Sequence, residues 1–159
     1  MRKTLLCLMA IFLNGPAFGA EDVPKQFWKS DTDGWVVETR PCDGGLCADL
    51  VAYRMVHQHL PGYVPTDVKN PNTARHDTPL CGLQLIGGFK RSTRKDGVWD
   101  GGWIYDPDSG HTYSGTITQL DADTVKLRGY IGISLFGRTL ILRRVADVPV
   151  RCAVPRTSP

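Results

Sequence analysis

The chain has 159 residues, 42% hydrophobic and 22% charged, a length that suits one domain. Nineteen Lys and Arg against 16 Asp and Glu give a formal charge of +3. Arg2 and Lys3 lie in an N-terminal leader, and without it the balance is 17 against 16, or +1, which removes charge as an argument for nucleic-acid or membrane binding.

The leader reads MRKTLLCLMAIFLNGPAFGA. A basic start, an apolar run from Leu5 to Leu13, and small residues at Ala17, Gly19 and Ala20 predict a secretory signal peptide over 1–19. Cleavage after Gly19 places Ala17 and Gly19 at the two recognised positions, whereas cleavage after Ala20 would place bulky Phe18 at one of them. The apolar run is too short to span a bilayer, which disfavours the alternative of an uncleaved anchor. No later segment is apolar for long enough to do so, and the expectation is an exported chain, periplasmic or secreted.

Loss of the leader removes Cys7 and leaves Cys42, Cys47, Cys81 and Cys152. An even count in an exported chain predicts two disulfides, with three pairings open. The turn-like DGGL between Cys42 and Cys47 favours that pair, leaving Cys81 with Cys152. A zinc site is the competing reading of four cysteines, disfavoured because the spacing is not C-x-x-C, and free thiols are a further alternative.

Strand signals follow in order, separated by Gly, Pro, Asp and Asn. They cover Gln26–Ser30, Trp35–Arg40, Leu46–Met55, Gly82–Lys90, Val98–Tyr105, His111–Leu120, Thr124–Ile131 and Gly137–Arg144. No stretch holds helical periodicity over three turns. Eight strands with short connections and no crossover helices predict an all-β fold: a small, eight-stranded antiparallel up-and-down barrel over 20–145. A two-sheet sandwich is the alternative. One long loop, 56–80, joins strands three and four, with about 25 residues and four prolines. Such a loop reads as a lid, a binding loop or a tether, and its LPGYV stretch around Tyr63 could form an apolar tip. The proline-rich segment 146–159 is an extended tail.

Several stretches invite chemical readings. His57 and His59, with His76 or Asp77, could be read as a zinc set, but nothing fixes a third ligand. Asp67 and Asn70 in DVKNP suit a turn, with a polar arrangement over a cavity as the functional reading. In WIYDPDSGHTYSG, counting from Asp106 puts Gly110 at position 5 and Ile117 at 12, so an EF-hand is excluded. Asp106, Pro107, Asp108, Ser109 and Gly110 instead predict a hairpin turn. Trp103 and Tyr105 share one face of its first strand, and Tyr113, Gly115 and Ile117 one face of its second. Arg128 shares a face with Lys126 and Tyr130, while Arg138 and Arg144 share one with Leu140 and Leu142. An arginine among apolar residues needs a carboxylate or an aromatic face, such as Asp106 or Trp28, or serves as a ligand counter-charge. No nucleophile elbow, paired acid and base, or phosphate loop is present, so no enzyme activity and no cofactor is expected.

These motifs resemble a family of exported bacterial domains of unknown function that are similar to the lipocalin, or calycin, barrels. The resemblance rests on Trp28, on Cys42 with Leu46-Cys47, on Asp67 with Asn70-Pro71, and on Pro79-Leu80 with Gly82-Leu83. It continues through Trp99, Gly101-Gly102, Ile104-Tyr105-Asp106-Pro107, Gly110 and Tyr113, then Arg128-Gly129-Tyr130, Gly132 and Gly137-Arg138-Thr139. It covers about residues 26 to 145. Gln26, Ala48 and Leu142 depart from the pattern. Cys81 and Cys152 stand outside it, which supports their mutual pairing. The resemblance implies Arg144 packed over Trp28, and no established activity. The expected function is binding of a small apolar or amphipathic ligand in the barrel. Trp103, Tyr105 and Tyr113 would line the site, Arg128 would anchor it, and Tyr63, Asp67 and Asn70 would lie on the lid. The alternative is a structural or protein-interaction module of the cell envelope with a filled barrel.

Overall fold

The computed structural model describes residues 25–53, 64–148 and 151–152. The predicted signal peptide, His57, His59, Tyr63 and most of the predicted tail lie outside the described residues. Eight strands follow in chain order: β1 Phe27–Ser30, β2 Val36–Cys42, β3 Gly45–Ala52, β4 Gln84–Arg91, β5 Val98–Asp106, β6 His111–Gln119, β7 Thr124–Tyr130 and β8 Gly137–Val145. Each pairs antiparallel with its neighbour in the chain, and β8 pairs back onto β1, with Trp28 opposite Arg144 and Ser30 opposite Leu142. That closure removes the sheet edges and excludes the two-sheet sandwich. Among the described residues the one α-type element is a single 3-10 turn, Thr73–Arg75, capped by the Asn72 side chain.

Alternation along each strand sorts the side chains. Val37, Leu50, Ile117, Leu127 and Leu142 are buried inside, while Glu38, Asp49, Thr116, Lys126 and Arg143 occupy the intervening positions. An apolar interior within a charged exterior is the reverse of the polarity of barrels that span membranes. No helix of the described residues is long and apolar enough to cross a membrane.

Phe89, with no exposed surface, fills the interior between β5 and β6. Gly102 and Gly115 make room for it. A Cβ on Gly115 would stand 2.7 Å from the tip of the Phe89 ring, and one on Gly102 would overlap the ring itself. Phe89 reaches the interior through a bulge, since the four residues from Ile86 to Phe89 oppose the three from Leu46 to Ala48. Gly88 supplies the positive φ of 72° within it. Trp28, Val125 and Leu142 pack the end of the barrel where the β6–β7 turn lies.

Both predicted disulfides form, Cys42–Cys47 across the β2–β3 hairpin and Cys81–Cys152 between the β4 approach and the tail. Arg151 and Cys152 lie against the outside of the barrel. Arg151 stacks 4.4 Å above Phe27 and lies 3.6 Å from Glu38, and the Cys152 amide donates to the Val51 carbonyl at 2.9 Å.

Candidate functional site

The connections 31–35, 107–110 and 131–136 and the described part of the β3–β4 connection, 64–83, gather at the other end of the barrel, and a cavity of about 290 Å³ opens there. Leu50, Ile86, Ile104, Leu127 and Leu140 form its apolar floor and wall. Trp35, Tyr53 and Tyr113 add aromatic surface, and Leu80 and Leu85 close one side. Polar groups are confined to the rim, where Arg138 and Asp33 form an ion pair at 3.0 Å and Asp108 stands nearby. An apolar chamber with a few polar groups at its mouth is the common form of a small-molecule site.

One side of the rim is fastened by a buried clasp. The Tyr105 hydroxyl donates to Asp67 Oδ1 at 2.6 Å, and Asn70 Nδ2 donates to Asp67 Oδ2 at 2.7 Å. Asp67 is 1% exposed, so these donors replace the water its carboxylate would otherwise hold. Burial, then the hydrogen bond to Asp67 and its charge, push the Tyr105 hydroxyl up to about 12. The loop carrying Asp67 is held by backbone bonds as well, Asp67 N to Thr78 O and Leu80 N to Pro65 O. His76 joins in through its ring Nε2, 2.9 Å from the Asn70 carbonyl.

The same loop locks onto the β5–β6 hairpin. Lys69 Nζ donates to the Asp108 carbonyl, and a Cβ on Gly110 would collide with the Lys69 carbonyl. Gly110 also has φ of 74°. The predicted turn is built by Asp106, whose Oδ1 accepts the Asp108 amide at 3.0 Å and whose Oδ2 accepts the Ser109 hydroxyl at 2.7 Å. Asp106 thus shapes the turn, while the arginines pair elsewhere, Arg138 with Asp33 and Arg143 with Asp31.

Of the residues expected at a ligand site, Tyr105 and Tyr113 border the cavity. Asp67 and Asn70 do not; they hold Tyr105 in place. Trp103 is corrected: it lies outside the barrel against Gly87 and Gly88, opposite Gly87 and Ser114 in register, and is 37% exposed. Arg128 is corrected too. It points outward and donates to the Ser134 and Leu135 carbonyls and to Thr139 Oγ1. The arginine at the cavity is Arg138, whose shared face with Leu140 and Leu142 was the available signal. Arg144 stands opposite Trp28 on the inward face, but its guanidinium is bound by Asp123 in the β6–β7 turn. The predicted lid begins at 56; its residues 56–63 lie outside the described residues, and its remainder forms the clasp loop.

No group of three or more His, Cys, Asp or Glu side chains that could hold a metal occurs among the described residues. The bacterial family described as "Uncharacterized protein conserved in bacteria (DUF2147)" matches residues 27–144, from the first strand to the last. The chain belongs to this family. The clasp and the Asp106–Gly110 turn are therefore features of a DUF2147 domain. Among solved structures, one described as protein HP1028 from the human pathogen Helicobacter pylori, belonging to the lipocalin family, is similar in fold. The likeness has a TM-score of 0.65 at 17% identity, over 77% of this chain and 83% of the other. No curated protein matches the chain.

Proposed function

We propose that this DUF2147 protein is a non-enzymatic, exported carrier that holds one small apolar or amphipathic molecule in the mouth half of its barrel. The half-filled interior carries this reading. Phe89 and its neighbours fill one end, yet about 290 Å³ lined by Leu50, Ile104, Leu127 and Leu140 stays open at the other. That volume sits at the lower edge of the roughly 300–1,000 Å³ seen for small-molecule sites, which favours a compact ligand. An apolar portion would lie on the leucine floor and a polar end would meet Arg138 and Asp33 at the rim. The two disulfides fit an oxidising compartment, and the leader motif fits the periplasm.

The test is titration with an environment-sensitive apolar dye and with short-chain carboxylic acids. The protein should bind them one to one, and Leu140→Trp, which fills the chamber, should weaken binding by at least about tenfold while the barrel still melts cooperatively. Absence of binding by the wild type, or equal binding by the filled variant, removes the carrier reading. A filled-barrel interaction module is the second reading, favoured by Phe89. It predicts that the wild type binds none of these probes and that Leu140→Trp, having no room, destabilises the barrel by about 1–3 kcal/mol.

A further inference from the structure

The connection between β7 and β8 is apolar where a surface loop should be polar. Ile131, Ile133, Leu135 and Phe136 are 65%, 60%, 75% and 73% exposed. No charged residue occurs from Gly129 to Gly137. Single exposed apolar side chains need no explanation, but four within six residues form a patch of the kind that marks an interaction surface.

The loop is also prepared for a dry environment. Three successive carbonyls are satisfied internally. The Phe136 amide donates to the Ile133 carbonyl at 3.2 Å, and the Arg128 guanidinium donates to those of Ser134 and Leu135, the first at 2.9 Å and the second at 3.3 Å. In hydrocarbon an unsatisfied backbone group costs several kcal/mol, so satisfying these three carbonyls beforehand lowers the cost of inserting the loop. Among the described hydrogen bonds and ion pairs, Arg128 meets only carbonyls and the Thr139 hydroxyl. Its charge is thus uncompensated by a carboxylate, directly behind an apolar tip. An apolar tip backed by a positive charge that no carboxylate neutralises complements an anionic lipid surface. A protein partner would require neither the capped carbonyls nor the cation.

We infer that the 131–136 loop docks this protein on anionic phospholipid bilayers, with Ile133, Leu135 and Phe136 entering the interface and Arg128 facing the headgroups. This does not rest on the carrier reading, although Arg138, two residues beyond the loop, lies on the cavity rim and docking would bring the mouth to the membrane.

Co-sedimentation of the oxidised protein with vesicles tests it. Vesicles of phosphatidylglycerol and phosphatidylethanolamine should carry the protein down, and pure phosphatidylcholine vesicles should do so markedly less. Leu135→Ser/Phe136→Ser should lower binding at least about tenfold, with an unchanged melting curve because both side chains are exposed. Leu140→Trp should leave vesicle binding intact, which separates this inference from the cavity. Failure of the wild type to sediment, or equal sedimentation of the double variant, overturns the proposal. So does self-association abolished by the same substitutions without vesicle binding, which would assign the patch to a second copy of the chain.

Discussion

Asp67 has exchanged water for two side-chain donors, Tyr105 and Asn70. Tyr105→Phe removes one of them and leaves the carboxylate buried. Hydrogen bonds to charged groups are worth roughly 1.5–3 kcal/mol, so the unfolding free energy should fall by that much, read as a lower urea midpoint at unchanged slope. The hydroxyl also sets a pH dependence. Its folded value is about 12 against about 10 for an unfolded tyrosine. Between these values the unfolded chain has lost the proton and the folded chain keeps it. The contribution is therefore complete below pH 10 and is lost as pH rises toward 12. Tyr105→Phe should flatten that alkaline part of the melting-temperature profile relative to wild type; parallel profiles would contradict the assignment. At this scale the sequence was half legible. Tyr105 and Tyr113 were recognisable as aromatics flanking a turn, and Asp106 and Gly110 as the turn itself. The partner of Arg138 was not, because Asp33 lies 105 residues away and only barrel closure brings β8 beside the β1–β2 turn.

Strands three and four show what period two can and cannot reveal. The eight β-rich runs agree with the eight strands in number and order because each is short, alternating and bounded by turn formers. Alternation alone would send Ile86 and Phe89 to opposite faces; the bulge at Gly88 turns both inward. The filled end of the barrel was hidden for that reason. Alternation did place Trp103 and Tyr105 together on one face of β5, but not which environment that face meets. The clasp loop buries Tyr105, whereas Trp103 lies over Gly87 and Gly88 and stays 37% exposed. The Phe89 cradle gives an element-scale prediction. Gly102→Ala should destabilise by about 1–3 kcal/mol, the usual cost of overpacking. In a Phe89→Leu background the same substitution should cost far less, a coupling a double-mutant cycle reads directly. Equal costs in both backgrounds would show that Phe89 and Gly102 do not constrain each other.

For the whole molecule, the two disulfides bear on quite different lengths of chain. Cys42–Cys47 closes 5 residues within a hairpin that the β2–β3 ladder already holds. Cys81–Cys152 closes 71 residues and spans β4 to β8. Loop-closure entropy alone assigns about 2 kcal/mol to the first and about 4 kcal/mol to the second, as upper figures. The long bridge also joins two weakly supported parts. Cys81 follows directly on the clasp loop, and Cys152 lies in the segment after β8, where the described contacts are those of Arg151 to Phe27 and Glu38 and the Cys152 amide bond to Val51. Cutting it should therefore lower the melting temperature more than cutting the short bridge. It should also loosen the rim where the candidate site lies, since the loop bearing Asp67 loses its covalent tether on the Cys81 side. Cys81→Ser/Cys152→Ser should show both the larger thermal shift and faster amide exchange over 65–80, whereas Cys42→Ser/Cys47→Ser should leave that exchange near wild type. Equal thermal shifts, with 65–80 unchanged in both variants, would mean that the clasp and the barrel ladder hold the mouth without the tail.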